Sequence, residues 1–194
     1  MARPRETTND ELLVHAHALL LERGGAGFTL SDVAARAGVA PATLIKRFGS
    51  KSQLIIAVSE RWLASIAPGM AAAMRPHDDP VERLVAGASW DMGNFDDAVT
   101  AGSQLAAFAD DLQDPALRAL LAKGWERETQ ILQAAVDEVR THLPLAPDSR
   151  KAARMLRALA VGIHLSWSIA PVGSLVDDAH DHLTTLVNSW KDIR

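Results

Sequence analysis

Apolar side chains recur along this chain at three- and four-residue spacings, and no stretch alternates every second residue. That periodicity fits amphipathic helices and argues against half-buried strands. The expected fold is all-α, with about nine helices. Glycine and proline set the boundaries. A first helix runs from about Thr8 to Arg23, with Leu12, Leu13, Ala16, Leu19 and Leu20 on one face, and the run of Gly24, Gly25 and Gly27 stops it. Ser31 caps a short second helix through Ala37, Gly38 ends it, and Pro41 opens a third. Ser50 caps a longer fourth helix carrying Leu54, Ile55, Val58, Trp62 and Ile66, which Pro68 and Gly69 break or kink. Acid–proline pairs at 79–80 and 114–115 open helices over 80–93 and 115–141, with another over 98–111 between them. A loop at 143–149 precedes two helices, 149–169 and 174–192, whose short connection makes them antiparallel neighbours.

The residue budget supports a packed protein: 48% of 194 residues are hydrophobic, enough for a substantial core. Cysteine is absent, which excludes disulfides and thiolate metal ligands. No run reaches the roughly 20 uncharged apolar residues of a membrane span, and no apolar signal core follows the N-terminus, so a cytoplasmic chain is expected. The formal net charge of −4 is unevenly spread. Residues 1–62 hold eight basic and six acidic residues, a net of +2, which leaves −6 for the remainder. From Val33 to Ser59 there are four basic residues and no acidic one, an asymmetry that points to a polyanion meeting the N-terminal part.

Within that acid-free stretch lies AGVAPATLIKRFGSK, residues 37–51. Two short helices joined by a tight glycine turn, the second one basic, form the helix-turn-helix pattern. Leu30, Val33, Val39, Leu44 and Phe48 supply a small core, and Ala34, Ala35 and Ala37 permit close helix crossing. The face left outside includes Ala42, Thr43 and Lys46, with Ile45 and Arg47. Such a helix fits the major groove of duplex DNA, where Lys46 or Arg47 would donate to guanine or phosphate. On pattern alone, a helical hairpin with one solvated basic face remains an equal alternative.

The run FTLSDVAARAGVAPATLIKRFGSKSQLI, residues 28–55, resembles the DNA-binding domain of the TetR family of transcriptional regulators, and the likeness extends over about residues 8–62. It rests on Gly24, Thr29, Ala34, Ala37-Gly38-Val39, Thr43-Leu44, Phe48, Lys51 and Leu54 at the family's spacings. The resemblance implies a homodimeric regulator that is not an enzyme, most often a repressor released from a palindromic double-stranded operator by a small effector. It implies a DNA-binding domain over 1–62, with the helix-turn-helix at about 29–48, and an effector-binding and dimerisation domain over 63–194. It further implies phosphate contacts from Thr29, Ser31, Thr43 and Lys51, with Lys46 and its neighbours reading the groove. Three residues depart from the family pattern: Ala40 where a hydroxyl usually caps the recognition helix, Ile45 where Tyr is usual, and Arg47 where His or Tyr is common. Ile45 is suited to a thymine methyl. Arg3 and Arg5 form either an arm reaching DNA or an unstructured start.

Beyond residue 62 the residues speak less plainly. Ala158, Gly162 and Ser166 recur every four residues, and Leu175, Ala179, His182, Leu183, Leu186 and Trp190 share one side of the last helix. These two stripes are expected to form a four-helix dimer interface, the alternative being that they face their own core. Trp90, Met92, Phe95, Phe108, Trp125 and Trp167, with Gln104 and His164 as polar anchors, are expected to line an apolar effector pocket, the alternative being a packed core. A hydrophobic or aromatic effector follows from that composition. Asp178 and His182 stand four apart, a metal-like spacing that an acidic first helical turn explains as well. No nucleophile elbow, P-loop, dinucleotide-binding glycine run or zinc-protease motif occurs, and no cofactor is expected.

Overall fold

A computed structural model describes residues 7–191. Among these residues are nine α-helices and no strand: α1 (Asn9–Arg23), α2 (Leu30–Ala37), α3 (Pro41–Phe48), α4 (Lys51–Met74), α5 (Pro80–Ala88), α6 (Ala98–Asp111), α7 (Pro115–Glu138), α8 (Ser149–Ile169) and α9 (Leu175–Asn188). Short 3-10 turns lie at Met92–Phe95 and Arg140–His142. Arg3 and Arg5 lie outside the described residues.

The helix starts follow from side-chain caps. Thr8 and Glu11 form a reciprocal box at α1, the Thr8 hydroxyl accepting from the Glu11 amide while the Glu11 carboxylate accepts from the Thr8 amide. The same box caps α2, but from Thr29 with Asp32 and not from Ser31, which sits inside the first turn. Thr29 has an acid three residues on, whereas Ser31 has Ala34. Ser50 accepts from the Gln53 amide as expected at the start of α4.

Four boundaries differ from the sequence expectation. α4 runs unbroken through Pro68. The carbonyl freed by the missing amide belongs to Ala64, and both residues are exposed to solvent, while Ile66 and Met70 anchor the helix on its buried side. α5 stops at Ala88, where the Ser89 hydroxyl turns back to the Val85 carbonyl and the chain tightens into the first 3-10 turn. α7 likewise ends at Glu138 before a second 3-10 turn, and α9 ends at Asn188. α4 is also, by length and composition alone, long and apolar enough to cross a bilayer. It carries Glu60 and Arg61 mid-helix, and Arg61 pairs with Asp10.

Contacts divide the chain into two units. The first comprises the residues up to Leu63 together with Ser103–Leu121; the second comprises Ala64–Gly102 and the residues from Ala122 on. The first unit holds a core of Leu12, Ala16, Leu19, Phe28, Val33, Ala34, Leu44, Leu54 and Val58, with Leu30, Val39 and Phe48 packed against it. In the second, α8 and α9 pack together, and α5 packs on α9. Gly69 of α4 lies flush against the Trp90 ring, with no room for a β-carbon.

Candidate functional site

The turn between α2 and α3 is fixed by backbone geometry. Gly38 adopts a left-handed conformation (φ 67°), and the Val39 amide donates to the Ala34 carbonyl at 3.0 Å while the Gly38 amide donates to Ala35 at 3.2 Å. This pair of bonds closes α2 and redirects the chain into α3. Pro41 occupies the first turn of α3, and Ala40 before it offers no side-chain cap. Leu44 is fully buried, which rolls the opposite face outward: Ala42, Ile45 and Lys46 are exposed, with Thr43 half-buried at its edge.

Arg47 does not join them. Its guanidinium donates to the Thr7 carbonyl at 2.5 Å and to Asn9 Oδ1 at 3.3 Å, tying the end of α3 to the start of α1. Two of the other expected phosphate contacts are also engaged. The Thr29 hydroxyl donates to Asp32 at 2.6 Å, and these bonds hold the Asp32 carboxyl below its ordinary range. Lys51 Nζ lies 4.8 Å from the Phe28 ring centroid and 3.4 Å from the Ala26 carbonyl. Ser31 is exposed, and Arg36 on α2 is paired with Glu22. The outward face of α3 thus carries one cation, Lys46, beside one large apolar side chain, Ile45.

In the second unit the residues expected to line a pocket fall into two groups. Trp90, Met92 and Phe95 lie on one short segment after α5, Trp125 on α7, and His164 and Trp167 on α8. Phe95 stacks on His164 with centroids 5.3 Å apart, and burial lowers the His164 pKa and leaves its Nε2 without a partner. Trp167 is buried, its indole donating to the Val172 carbonyl at 3.3 Å, as a core residue would. Gln104 and Phe108 belong to the first unit and are not part of this set.

Sequence reasoning missed three charged residues here. Trp90 Nε1 donates to Glu128 Oε1 at 3.3 Å, and the Arg157 guanidinium lies 4.4 Å from the Trp125 ring centroid with a buried, unpartnered Nε. Burial pushes the Asp91 carboxyl up to about 6; burial, reinforced by the Asp91 charge, pushes Glu128 up to about 7. Desolvation lowers the pKa of Arg157. The available signal was isolated charge beside tryptophan: Asp91 follows Trp90, and Glu128 stands one turn from Trp125.

The expected dimer stripes part company. Ala158, Gly162 and Ser166 are exposed along α8, beside exposed Val161, Leu165 and Ile169. By contrast, Leu175, Ala179 and Leu183 on α9 and Trp190 just past its end are buried, and these side chains expected at an interface fill the chain's own core. His182 is exposed and Leu186 half-buried. The His182 ring nitrogen Nδ1 lies 2.8 Å from the backbone carbonyl of Asp178 and 3.4 Å from its carboxylate.

Residues 12–58 match the sequence profile described as bacterial regulatory proteins, tetR family. The chain is 32% identical over 81 residues to the HTH-type transcriptional activator FasR of Mycolicibacterium smegmatis, a match covering 42% of this chain and 37% of that one. It is 30% identical over 132 residues to the HTH-type transcriptional regulator CymR of Pseudomonas putida, covering 65% and 62% respectively. The matches thus span less than two thirds of either relative. Its fold is similar to that of a putative transcriptional regulator from Saccharomonospora viridis crystallised in complex with choline, with a TM-score of 0.79, 21% identity and coverage of 96% and 98%. The helix-turn-helix segment of this chain is thus similar to that of the tetR family of bacterial regulatory proteins, and its fold to that of solved regulators.

Proposed function

We propose that this chain is a DNA-binding transcriptional regulator, acting as a cytoplasmic homodimer that represses from a palindromic operator and is released by a small effector. The observation that carries the reading is the α2–α3 unit: a glycine-closed turn, a buried Leu44, and Ala42, Ile45 and Lys46 facing outward from a stretch of 27 residues without an acid. Two such helices about 34 Å apart on a dimer match successive major grooves. The exposed apolar face of α8 supports pairing with a second copy. A relative named as an activator leaves the sign of regulation to experiment.

The effector we propose combines an apolar body with a polar or charged group. Trp90 and Trp125 offer ring faces, while Asp91, Glu128 and Arg157 are buried or half-buried charges whose pKa values are displaced from their ordinary ranges. This adds a polar or charged group to the hydrophobic or aromatic effector expected from composition. The structural neighbour holds choline, which makes organic cations the first class to screen. Release is a population shift: the effector favours a state in which the two recognition helices no longer match the grooves. α4 is the covalent route for that shift, since it begins beside α3 and its residues belong to both units.

Fluorescence anisotropy against the DNA upstream of the coding region, with scrambled DNA as control and salt varied, tests the reading. Selective binding whose logarithm falls steeply with log salt supports a regulator. Equal binding to both duplexes favours nonspecific DNA association; no binding at low salt with retained ligand binding favours a carrier or enzyme.

A further inference from the structure

The outward face of α3 is unusual in what it lacks. A helix that reads bases by hydrogen bonding presents Arg, Lys, Asn or Gln to the base edges, and of these α3 turns only Lys46 outward. Here Arg47 is committed to Thr7 and Asn9, Thr43 is half-buried, and Leu44 and Phe48 serve the core. What remains outside is Pro41 in the first turn, with Ala42, Ile45 and Lys46 at positions i, i+3 and i+4 of one face. Ile45 is 57% exposed. A scattered exposed aliphatic residue is ordinary, but this one occupies the middle of the face that the DNA-binding reading places in the groove.

Once docked, Ile45 is desolvated against whatever base edge it meets. Over a cytosine amino group or a guanine carbonyl it would strip water from a polar atom and return no hydrogen bond, which is unfavourable. The thymine C5-methyl is the one apolar projection in the major groove. We propose that Ile45 is a specificity-determining residue that packs against a thymine methyl in each operator half-site, with Lys46 supplying charge-driven affinity beside it. This rests on the DNA-binding reading above and adds to it the chemistry by which sequence is chosen.

The test takes the full-length protein, enriches a binding sequence from a randomised duplex library, and replaces each thymine of that sequence in turn by deoxyuridine, which deletes only the methyl. One thymine per half-site is expected to stand out, its replacement weakening binding about 4-fold, the scale of one buried methylene, and replacement in both halves about 15-fold. Ile45→Ala is expected to weaken binding to the thymine duplex and to lose the difference between thymine and deoxyuridine at that position. Lys46→Ala is expected to weaken both duplexes equally. Deoxyuridine duplexes that bind as tightly as the parent at every position overturn the proposal while leaving DNA binding intact, and so does an Ile45→Ala protein that still senses the methyl. The deoxyuridine series uses the unmodified protein and decides the matter even where a variant folds poorly. Failure to enrich any sequence overturns the proposal together with the reading on which it rests.

Discussion

Replacing Gly69 by alanine probes the contact that seats α4 against the segment after α5. A β-carbon built on Gly69 falls 2.4 Å from Cζ3 and 2.6 Å from Cε3 of Trp90, far inside the roughly 3.5–4.0 Å optimum for carbon contacts. The indole yields only by giving up its bond to Glu128. Overpacking costs about 1–3 kcal/mol, and the lost bond to a carboxyl adds roughly 1 kcal/mol. Against these stands a helix-propensity gain of roughly 1 kcal/mol for alanine over glycine. The expected net is a destabilisation of about 2 kcal/mol, or a fall in Tm of roughly 4–8 °C for a chain this size. In a Trp90→Ala background the clash is gone and only the propensity gain remains, so Gly69→Ala then stabilises by up to about 1 kcal/mol. Urea and thermal unfolding of the four proteins, followed by far-ultraviolet circular dichroism, measure the cycle. An equal effect of Gly69→Ala in both backgrounds would refute the reasoning.

Glu128→Gln keeps the acceptor for Trp90 while removing the charge. The folded carboxyl titrates at about 7 against 4.5 for an ordinary one, so stability from this group is complete below about pH 4.5 and is lost as pH rises through 7. The variant is expected to gain on the wild type by roughly 3 kcal/mol between those limits, read from urea midpoints across pH; a pH-independent difference would sink the assignment. Lys46→Ala leaves Tm unchanged and lowers the magnitude of the DNA-binding salt slope by about one, whereas Arg47→Ala lowers stability by roughly 1 kcal/mol through the loss of its bonds to Thr7 and Asn9. Equal loss of stability in the two variants would contradict the different settings of these neighbours. Ala40→Ser supplies the cap that α3 lacks and raises stability by about 1 kcal/mol, measured by thermal melt.

The helices were legible because their signals are local. Thr8 with Glu11, Asp79 before Pro80, and Ser174 before Leu175 each announce a helix start within four residues, and each acts as a cap. Pro68 misled because a proline rule judges one hydrogen bond, whereas the buried residues on either side of it hold the helix together. In the candidate nucleic-acid interface, the outward set Ala42, Ile45 and Lys46 followed from Leu44 pointing inward, a matter of helical period. Arg47 turned away for a reason no local pattern contains: its partners lie 38 and 40 residues earlier in the chain. The stripes on α8 and α9 look alike in sequence, yet the α9 stripe is largely buried in the chain's own core while that of α8 is exposed. The charges at Asp91, Glu128 and Arg157 come from three separate segments, so their mutual influence exists only after folding.

The first unit is discontinuous along the chain, and this sets an order of events during synthesis. The core that gathers Leu12 through Val58 is complete in sequence once α4 is under way, but the unit also includes Ser103–Leu121. At translation speeds of about 5–20 residues per second, that segment is made roughly 3–12 s after Leu63. Throughout that interval the nascent helix-turn-helix waits on the ribosome without its last element, so slow codons placed between α4 and α6 would lengthen its exposure to chaperones and proteases.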